Sequence, residues 1–295
     1  MNRKHFLSSV LASAALLPVK AGVLSAGEAA SPAANGSHES GSAAIVPPYL
    51  KQGDTVGIVC PAGFITPQEI QPAVRILQSW GLSCRQGNTI GRRDGSFGGA
   101  DDERAKDFQE MLDDASVKAI LCARGGYGSI RILDKLDFTR FKASPKWIIG
   151  FSDITVLHCH INRNYDIASI HSKMCNSFPE DLGRADPVQQ DSILSIRRAL
   201  MGEALSFTVA PHPFNRTGSS SGALVGGNLK TIESLAGSVS DLRTARKILF
   251  LEDTGEYLYS IDRMFWSLKR TGKLEALGGL IIGGFRIKPD DPGEE

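Results

Sequence analysis

The chain has 295 residues, with 33 Lys and Arg against 32 Asp and Glu, so its formal net charge is +1. This balance argues against a nucleic-acid or anionic-membrane binder, because such partners are usually met by a clustered excess of basic residues. Hydrophobic residues make up 42% and charged residues 22%, values close to the globular average that exclude disordered, collagen-like and disulfide-scaffold classes. We expect a folded soluble protein of one or two domains.

The cysteines indicate no metal site. There are five of them, and no two form a C-x-x-C pair. Cys60 and Cys122 lie in apolar runs, where a buried thiol acts as a small hydrophobic side chain. No zinc site is predicted.

The first 26 residues have the three parts of a secretory signal peptide. Arg3 and Lys4 give a basic start, residues 6–17 form an apolar run too short to span a membrane, and small residues follow. Residues 27–46 are rich in Ala, Ser and Gly, which predicts a flexible linker. We therefore expect export, to the periplasm, with no membrane contact in the mature form.

From Asp54 onwards, short apolar runs alternate with amphipathic stretches, which is typical of strands and helices in a parallel α/β sheet. In the helix predicted at 100–112, Asp101 or Asp102 is expected to be the N-cap residue. The pattern predicts strands at 55–60, 117–123, 147–149, 247–251 and 280–282, and helices at 67–80, 100–112, 130–136, 154–162 and 261–268.

The periodicity divides the folded part into two domains. An amino-terminal α/β domain with a parallel sheet is predicted at 47–172, and a smaller carboxyl-terminal α/β domain at 221–295. Between them, residues 173–220 have weak periodicity, scattered prolines and a Gly- and Ser-rich run, so they are predicted to be an interdomain connection.

Two predicted strands run directly into glycine-containing turns. One turn is Arg124 to Ser129, and the other is Gly150-Phe-Ser-Asp153. Ser152 lies at a sharp strand-to-helix turn, which exposes a hydroxyl and directs the following N–H groups toward a developing oxyanion. A helix cap is an equally good interpretation of Ser152 by local pattern alone. The first turn could supply another oxyanion N–H, or be a phosphate-binding or purely structural turn.

Glu252 follows the apolar strand predicted at 247–251. Burial at such a position could hold a carboxylate that orients a histidine. A solvated strand-end acid is the alternative.

Four motifs, in this order, resemble the LD-carboxypeptidase family, which includes the microcin-immunity serine peptidases. They are Ala123-Arg-Gly-Gly-Tyr-Gly-Ser129, Ile149-Gly-Phe-Ser-Asp153, Gly226-Gly-Asn-Leu229 and Leu249-Phe-Leu-Glu-Asp253. The resemblance covers residues 46–284, and four motifs in order are far more specific than any single one.

The resemblance implies a serine peptidase with its site in the cleft between two α/β domains. Its substrate would be the stem peptide of peptidoglycan, from which the terminal D-alanine is removed, with no metal or organic cofactor. A homodimer is compatible with it, as is a cytoplasmic location, since relatives also act on recycled peptides there. The implied roles are nucleophile for Ser152, triad acid for Glu252, oxyanion N–H donors for Asp153 with Gly125 or Gly126, and substrate contacts for Arg124, Tyr127, His171 and Asn228.

The sequence departs from the family at the triad histidine, which the family has after the glutamate. The last of six histidines here is His212, so no residue matches it. We expect a chain truncated at the carboxyl end, with an incomplete second domain, and nearly inactive in this form, because a serine without a base is a poor nucleophile. His158 and His160, two residues apart on one helix, are expected to be packed or solvated. His171 is expected to line the pocket and not to act as the base.

Two other functions are weighed against this one. A catalytically inactive peptide-binding homologue would keep the pocket and lack the base. A nucleotide binder using the glycines of the first turn would need an acidic ribose partner about twenty residues further on. Residues 140–146 are basic and aromatic instead, which disfavours that reading.

Overall fold

The computed structural model describes residues 44–289. The predicted signal peptide, most of the predicted linker and residues 290–295 lie outside the described residues. The strands are Thr55–Val59 (β1), Ser83–Gln86 (β2), Val117–Cys122 (β3), Trp147–Gly150 (β4), Ile170–His171 (β5), Leu224–Asn228 (β6), Ile248–Glu256 (β7) and Gly279–Ile287 (β8). The helices are Gln71–Ser79 (α1), Asp101–Asp113 (α2), Ser129–Ile132 (α3), Thr139–Ala143 (α4), Thr155–Tyr165 (α5), Pro187–Leu200 (α6), Leu229–Ser234 (α7) and Leu258–Arg270 (α8).

The strands form two parallel sheets, which confirms the predicted fold class. The larger sheet has the order β2-β1-β3-β4-β5, and the smaller one has the order β6-β7-β8. Strands β3 and β4 are almost entirely buried, because helices cover both faces of a parallel sheet. Since all strands of a parallel sheet end at the same edge, the loops after β1, β3 and β4 are neighbours there.

Within residues 44–289, the core has three apolar clusters. One, containing Leu77, lies against one face of the larger sheet, and a second, containing Phe108, lies against the other. The third fills the smaller domain around Leu249 and includes Cys159 from α5. Helix α5 therefore packs against both sheets and joins the two domains. Cys60 and Cys122 are buried, as predicted. No helix within residues 44–289 is long and apolar enough to cross a membrane.

The start of α2 differs from the prediction of an aspartate cap. Ala100 is the N-cap residue, and Asp101 is already helical. The Ala100 N–H donates to Glu103 Oε2 over 3.0 Å, so a carboxylate in the first turn reaches back to the cap. Asp101 is instead engaged by the guanidinium groups of Arg104 and Arg131.

The segment predicted as an interdomain connection contains the helix α6. Asp186 caps it, because its Oδ1 accepts the N–H groups of Val188 and Gln189, each over 3.1 Å. Proline at position 187 is favoured in the first turn. Ile193 and Ile196 are buried in the cluster on the larger sheet, so α6 belongs to the amino-terminal core.

The last residues of the predicted linker are also part of the fold. The Ile45 N–H donates to the Asp166 carbonyl over 2.7 Å, and the Ala168 N–H donates to the Ile45 carbonyl over 2.8 Å. The amino-terminal domain therefore begins before residue 46.

Strand β6 contains a glycine, Gly226, at a position where the neighbouring strand β7 leaves no room for a side chain. Gly226 has φ of 140°, and a Cβ there would overlap the Phe250 carbonyl of β7. We expect Gly226→Ala to lower the free energy of unfolding by about 3 kcal/mol or more, measured by urea unfolding. Gly237→Ala is the control, because Gly237 also has positive φ but no atom lies within 4 Å of its Cβ position. Equal losses in both variants would show that φ alone, and not the approach of β7, requires Gly226.

Candidate active site

Ser152 lies in the turn between β4 and α5. Its φ is 60°, in the left-handed region that non-glycine residues rarely adopt. A serine held this way between a buried strand and a helix projects its hydroxyl from the turn, and such strain is concentrated at functional sites. The structure thus contains the sharp strand-to-helix turn that the sequence predicts.

The glycine turn after β3 lies directly against Ser152. A Cβ built on Gly125 would be 3.3 Å from Ser152 Cβ and 3.1 Å from Met174 Cε. Gly126 has φ of 103°, which glycine adopts without strain. The backbone of this turn is therefore close enough to the nucleophile position to meet an oxyanion, and the N–H roles of Gly125, Gly126 and Asp153 stay predictions.

The Asp153 side chain ties the two turns together. Its Oδ2 accepts the Ser129 N–H at the start of α3 over 2.8 Å. Burial raises the pKa of this carboxyl, while the hydrogen bond from the Ser129 backbone N–H acts in the opposite direction. The side chain thus fixes the position of the Ser152 turn relative to the glycine turn.

Glu252 lies on β7, paired in register with Asn228 of β6. Its side chain is 15% exposed. Burial raises the pKa of Glu252 to about 7, the neighbouring Asp253 adds to this, and a hydrogen bond from the Asn228 side chain opposes it. The Asn228 Oδ1 also accepts the Thr231 N–H over 3.0 Å, which caps α7. Asn228 therefore lies beside Glu252 on the neighbouring strand, and its contact with substrate stays a prediction.

His171 connects the larger sheet to Glu252. It ends β5, in register with Gly150 of β4, and its Nε2 lies 3.9 Å from Glu252 Oε1. Burial lowers the pKa of His171 to about 3, with a further contribution from His158, so the ring is neutral. The Phe250 ring packs against it with centroids 5.3 Å apart. The triad-acid candidate therefore meets the sheet that carries Ser152.

The other two histidines of the region are packed, as predicted. His158 is buried, and its Nε2 donates to the Gly150 carbonyl over 2.9 Å, beneath the Ser152 turn. Burial lowers the pKa of His158 to about 4. His160 is half-buried, and its Nδ1 hydrogen bonds with the Ser240 hydroxyl over 2.9 Å.

The two remaining predicted contact residues differ in exposure. Tyr127 is 55% exposed and its ring tilts against Phe97, with centroids 5.8 Å apart. Arg124 is half-buried, and its Nη1 donates to the Phe64 carbonyl over 3.3 Å. Both extend from the glycine turn that lies against Ser152.

Sequence reasoning missed Arg104, which is fully buried in α2. Its Nη1 donates to the Gly128 carbonyl over 3.0 Å and its Nε to the Gly99 carbonyl over 3.1 Å. Arg104 thereby fixes the glycine turn against α2 through hydrogen bonds to backbone carbonyls. The available signal was its position beside Ala105 on the apolar face of α2, where an arginine needs polar partners.

The site combines three features. A serine lies in a strained strand-to-helix turn, the backbone of a glycine turn lies against it, and a buried carboxylate approaches from the other domain. Together these features define a serine hydrolase of α/β architecture. A family model described as LD-carboxypeptidase N-terminal domain matches residues 56–172, and one described as LD-carboxypeptidase C-terminal domain matches residues 221–295. The chain belongs to the serine-type LD-carboxypeptidase family.

Similar proteins carry related names. A Bacillus subtilis (strain 168) protein named "Probable murein peptide carboxypeptidase" is 36% identical over 241 residues, covering 81% of this chain and 74% of the relative. The murein tetrapeptide carboxypeptidase of Pseudomonas aeruginosa is 31% identical over 239 residues, covering 79% and 77%. The solved structure of muramoyltetrapeptide carboxypeptidase from Oxalobacter formigenes is 25% identical, with a TM-score of 0.66 over 80% of this chain and 79% of that one.

Proposed function

We propose that this chain is an LD-carboxypeptidase that removes the terminal D-alanine from peptidoglycan tetrapeptides through an acyl-enzyme on Ser152. The observation that carries the proposal is the strained Ser152 turn after β4, together with the approach of Glu252 to within 3.9 Å of His171 on the neighbouring strand β5. The names of the relatives from Bacillus subtilis and Pseudomonas aeruginosa support the murein peptide substrate. We also propose export to the periplasm, as the predicted signal peptide implies, which fractionation of cells with and without residues 2–26 would test.

In the proposed reaction, the Ser152 oxygen attacks the carbonyl carbon of the peptide bond that precedes the D-alanine. The developing oxyanion accepts N–H groups from Asp153 and from Gly125 or Gly126. Collapse of the tetrahedral intermediate breaks the C–N bond, and the D-alanine amine leaves with the proton that the base took from the hydroxyl. Water then hydrolyses the ester on Ser152 and releases the shortened peptide.

The base needs a pKa near the working pH. Among the histidines of residues 44–289, His171 lies beside Glu252, but its pKa of about 3 makes it a weak proton acceptor. We therefore assign His171 to the pocket wall and to the support of Glu252. The resemblance to the family implies a base carboxyl-terminal to Glu252, and none of the six histidines of the sequence follows that residue.

The test is D-alanine release from a muramoyl tetrapeptide by this chain, beside a form extended through any downstream reading frame, with Ser152→Ala of each as the blank. Release by the extended form alone would support the triad and its later histidine. Release by both forms would place the base among His158, His160 and His171 and contradict the assignment above. Peptide binding without release in both forms would favour the alternative, a catalytically inactive peptide-binding homologue.

A further inference from the structure

Four successive strands of the larger sheet bring two arginines to the edge that carries Ser152. In the order β2-β1-β3-β4, the loops after these strands carry Arg93, Phe64, Arg124 and Ser152, respectively. Because parallel strands end at the same edge, these loops lie side by side. The arginines therefore belong to the surface next to the nucleophile.

The two guanidinium groups lie against one aromatic ring. Arg93 Cζ is 4.3 Å from the centroid of the Phe64 ring, and Arg124 Cζ is 5.7 Å from it. Hydrogen bonds hold both side chains, since Arg124 Nη1 donates to the Phe64 carbonyl over 3.3 Å and Arg93 Nε donates to the Gly95 carbonyl over 2.9 Å. We call Arg93 and Arg124 the arginine pair.

The loop of Phe64 is fixed to the glycine turn beside Ser152. The Gly63 N–H donates to the Gly125 carbonyl over 2.9 Å. A Cβ on Gly63 would be 2.6 Å from that carbonyl oxygen and 3.5 Å from Arg124 Cδ, so the two loops are in close contact. Arg124 immediately precedes Gly125, which lies against Ser152. The position of the arginine pair relative to the nucleophile is thus set by backbone contacts.

The arginine pair has no carboxylate partner within residues 44–289, whereas Arg92, Arg104 and Arg131 each form an ion pair with an acid. Glu69 is close enough for Arg124 to lower its pKa slightly, but the main cause of that lowering is the Thr66 hydrogen bonds that hold its carboxylate. Each guanidinium carries five N–H donors, and the hydrogen bonds above use one on each side chain. The remaining donors and both positive charges are left for a ligand.

We propose that the arginine pair binds the free carboxylate of the D-residue that leaves the peptide, which makes the site selective for chain ends. This inference rests on the proposed function. When the scissile carbonyl oxygen lies at the N–H groups of Gly125 or Gly126, the carboxylate of the leaving residue is only a few covalent bonds away. A planar guanidinium matches a carboxylate in charge and geometry, and the Phe64 ring keeps both cations in place.

The test compares two ligands, a muramoyl tetrapeptide and the same peptide with a carboxyl-terminal amide. The full chain carrying Ser152→Ala, which prevents turnover, is titrated with each by calorimetry. We expect the acid to bind about ten- to a hundredfold more tightly than the amide, as for hydrogen bonds to a charged group. Adding Arg124→Gln or Arg93→Gln should bring this ratio toward one, and raising the salt concentration should reduce it.

Arg131→Gln is the matched control, because Arg131 also lies over an aromatic ring, with its Cζ 5.1 Å from the Phe97 centroid, but is paired with Asp101. It should leave the ratio of acid to amide affinity unchanged.

An unchanged ratio in both Arg93→Gln and Arg124→Gln, with parental melting temperatures, would overturn the subsite. Peptide binding in that case would still support the proposed function. If neither the Ser152→Ala chain nor its extended form binds either peptide, the proposed function fails and the subsite with it. Arg93 is exposed, so its variant tests the subsite even where Arg124→Gln unfolds.

Discussion

Ser152→Ala is expected to abolish D-alanine release, lowering kcat by about 10⁴- to 10⁶-fold in whichever form of the chain is active. The substitution removes only the attacking oxygen, and alanine replaces a residue that already holds φ of 60°. The glycine turn and Glu252 stay in place, so peptide affinity and melting temperature should remain near those of the parent. The measurement pairs single-turnover release of D-alanine with calorimetric binding of the tetrapeptide.

Ser172→Ala is the matched control for this prediction. Ser172 is a buried serine beside the same turn, and its N–H donates to the Gly150 carbonyl over 3.0 Å. Its hydroxyl has no role in the proposed reaction, so turnover should stay close to that of the parent. Parental turnover in Ser152→Ala would mean that another group attacks the peptide and that the strained turn serves some other purpose.

The Ser152 turn was predictable because all of its parts are adjacent in the chain. A short apolar strand, Gly150 and a serine before an amphipathic stretch specify the turn locally. The contact between His171 and Glu252 was not predictable in this way. Those residues lie on strands of different sheets, and their approach depends on how α5 packs against both domains. Nothing in the local sequence of either residue encodes that packing.

Two of the elements that the sequence pattern missed, β2 and α6, show different physical reasons for the miss. Strand β2 is an edge strand of exposed and half-buried residues, held by its backbone pairing with β1. It therefore has neither the apolar run nor the alternation that marks a strand. Helix α6 has a recognisable N-terminal signal in Asp186 and Pro187. The sequence on both sides of it has weak hydrophobic periodicity, so the segment is predicted to be a connection.

Glu252→Gln is expected to lower turnover and, at high pH, to raise the free energy of unfolding. If Glu252 orients the base, removing its charge should lower kcat by about 10⁴-fold, as for other triad carboxylates. Glutamine keeps the shape of the side chain, so the pairing of β7 with β6 at Asn228 should be unchanged. Glu256→Gln is the control on the same strand, since the Glu256 carboxylate only accepts the Ser260 hydroxyl over 2.8 Å.

The stability effect follows from the pKa of Glu252, which burial raises from 4.5 to about 7. Between these pH values the folded chain binds more protons than the unfolded chain, so the free energy of unfolding falls as pH rises and is lowest above pH 7. The charged carboxylate then costs up to about 3 kcal/mol, which the neutral glutamine avoids. Urea unfolding should show Glu252→Gln more stable than the parent at pH 8 and equal to it at pH 4. A less stable variant at pH 8 would identify Glu252 as a structural carboxylate. A more stable variant with lower turnover is the result expected of a buried charge that is kept for catalysis.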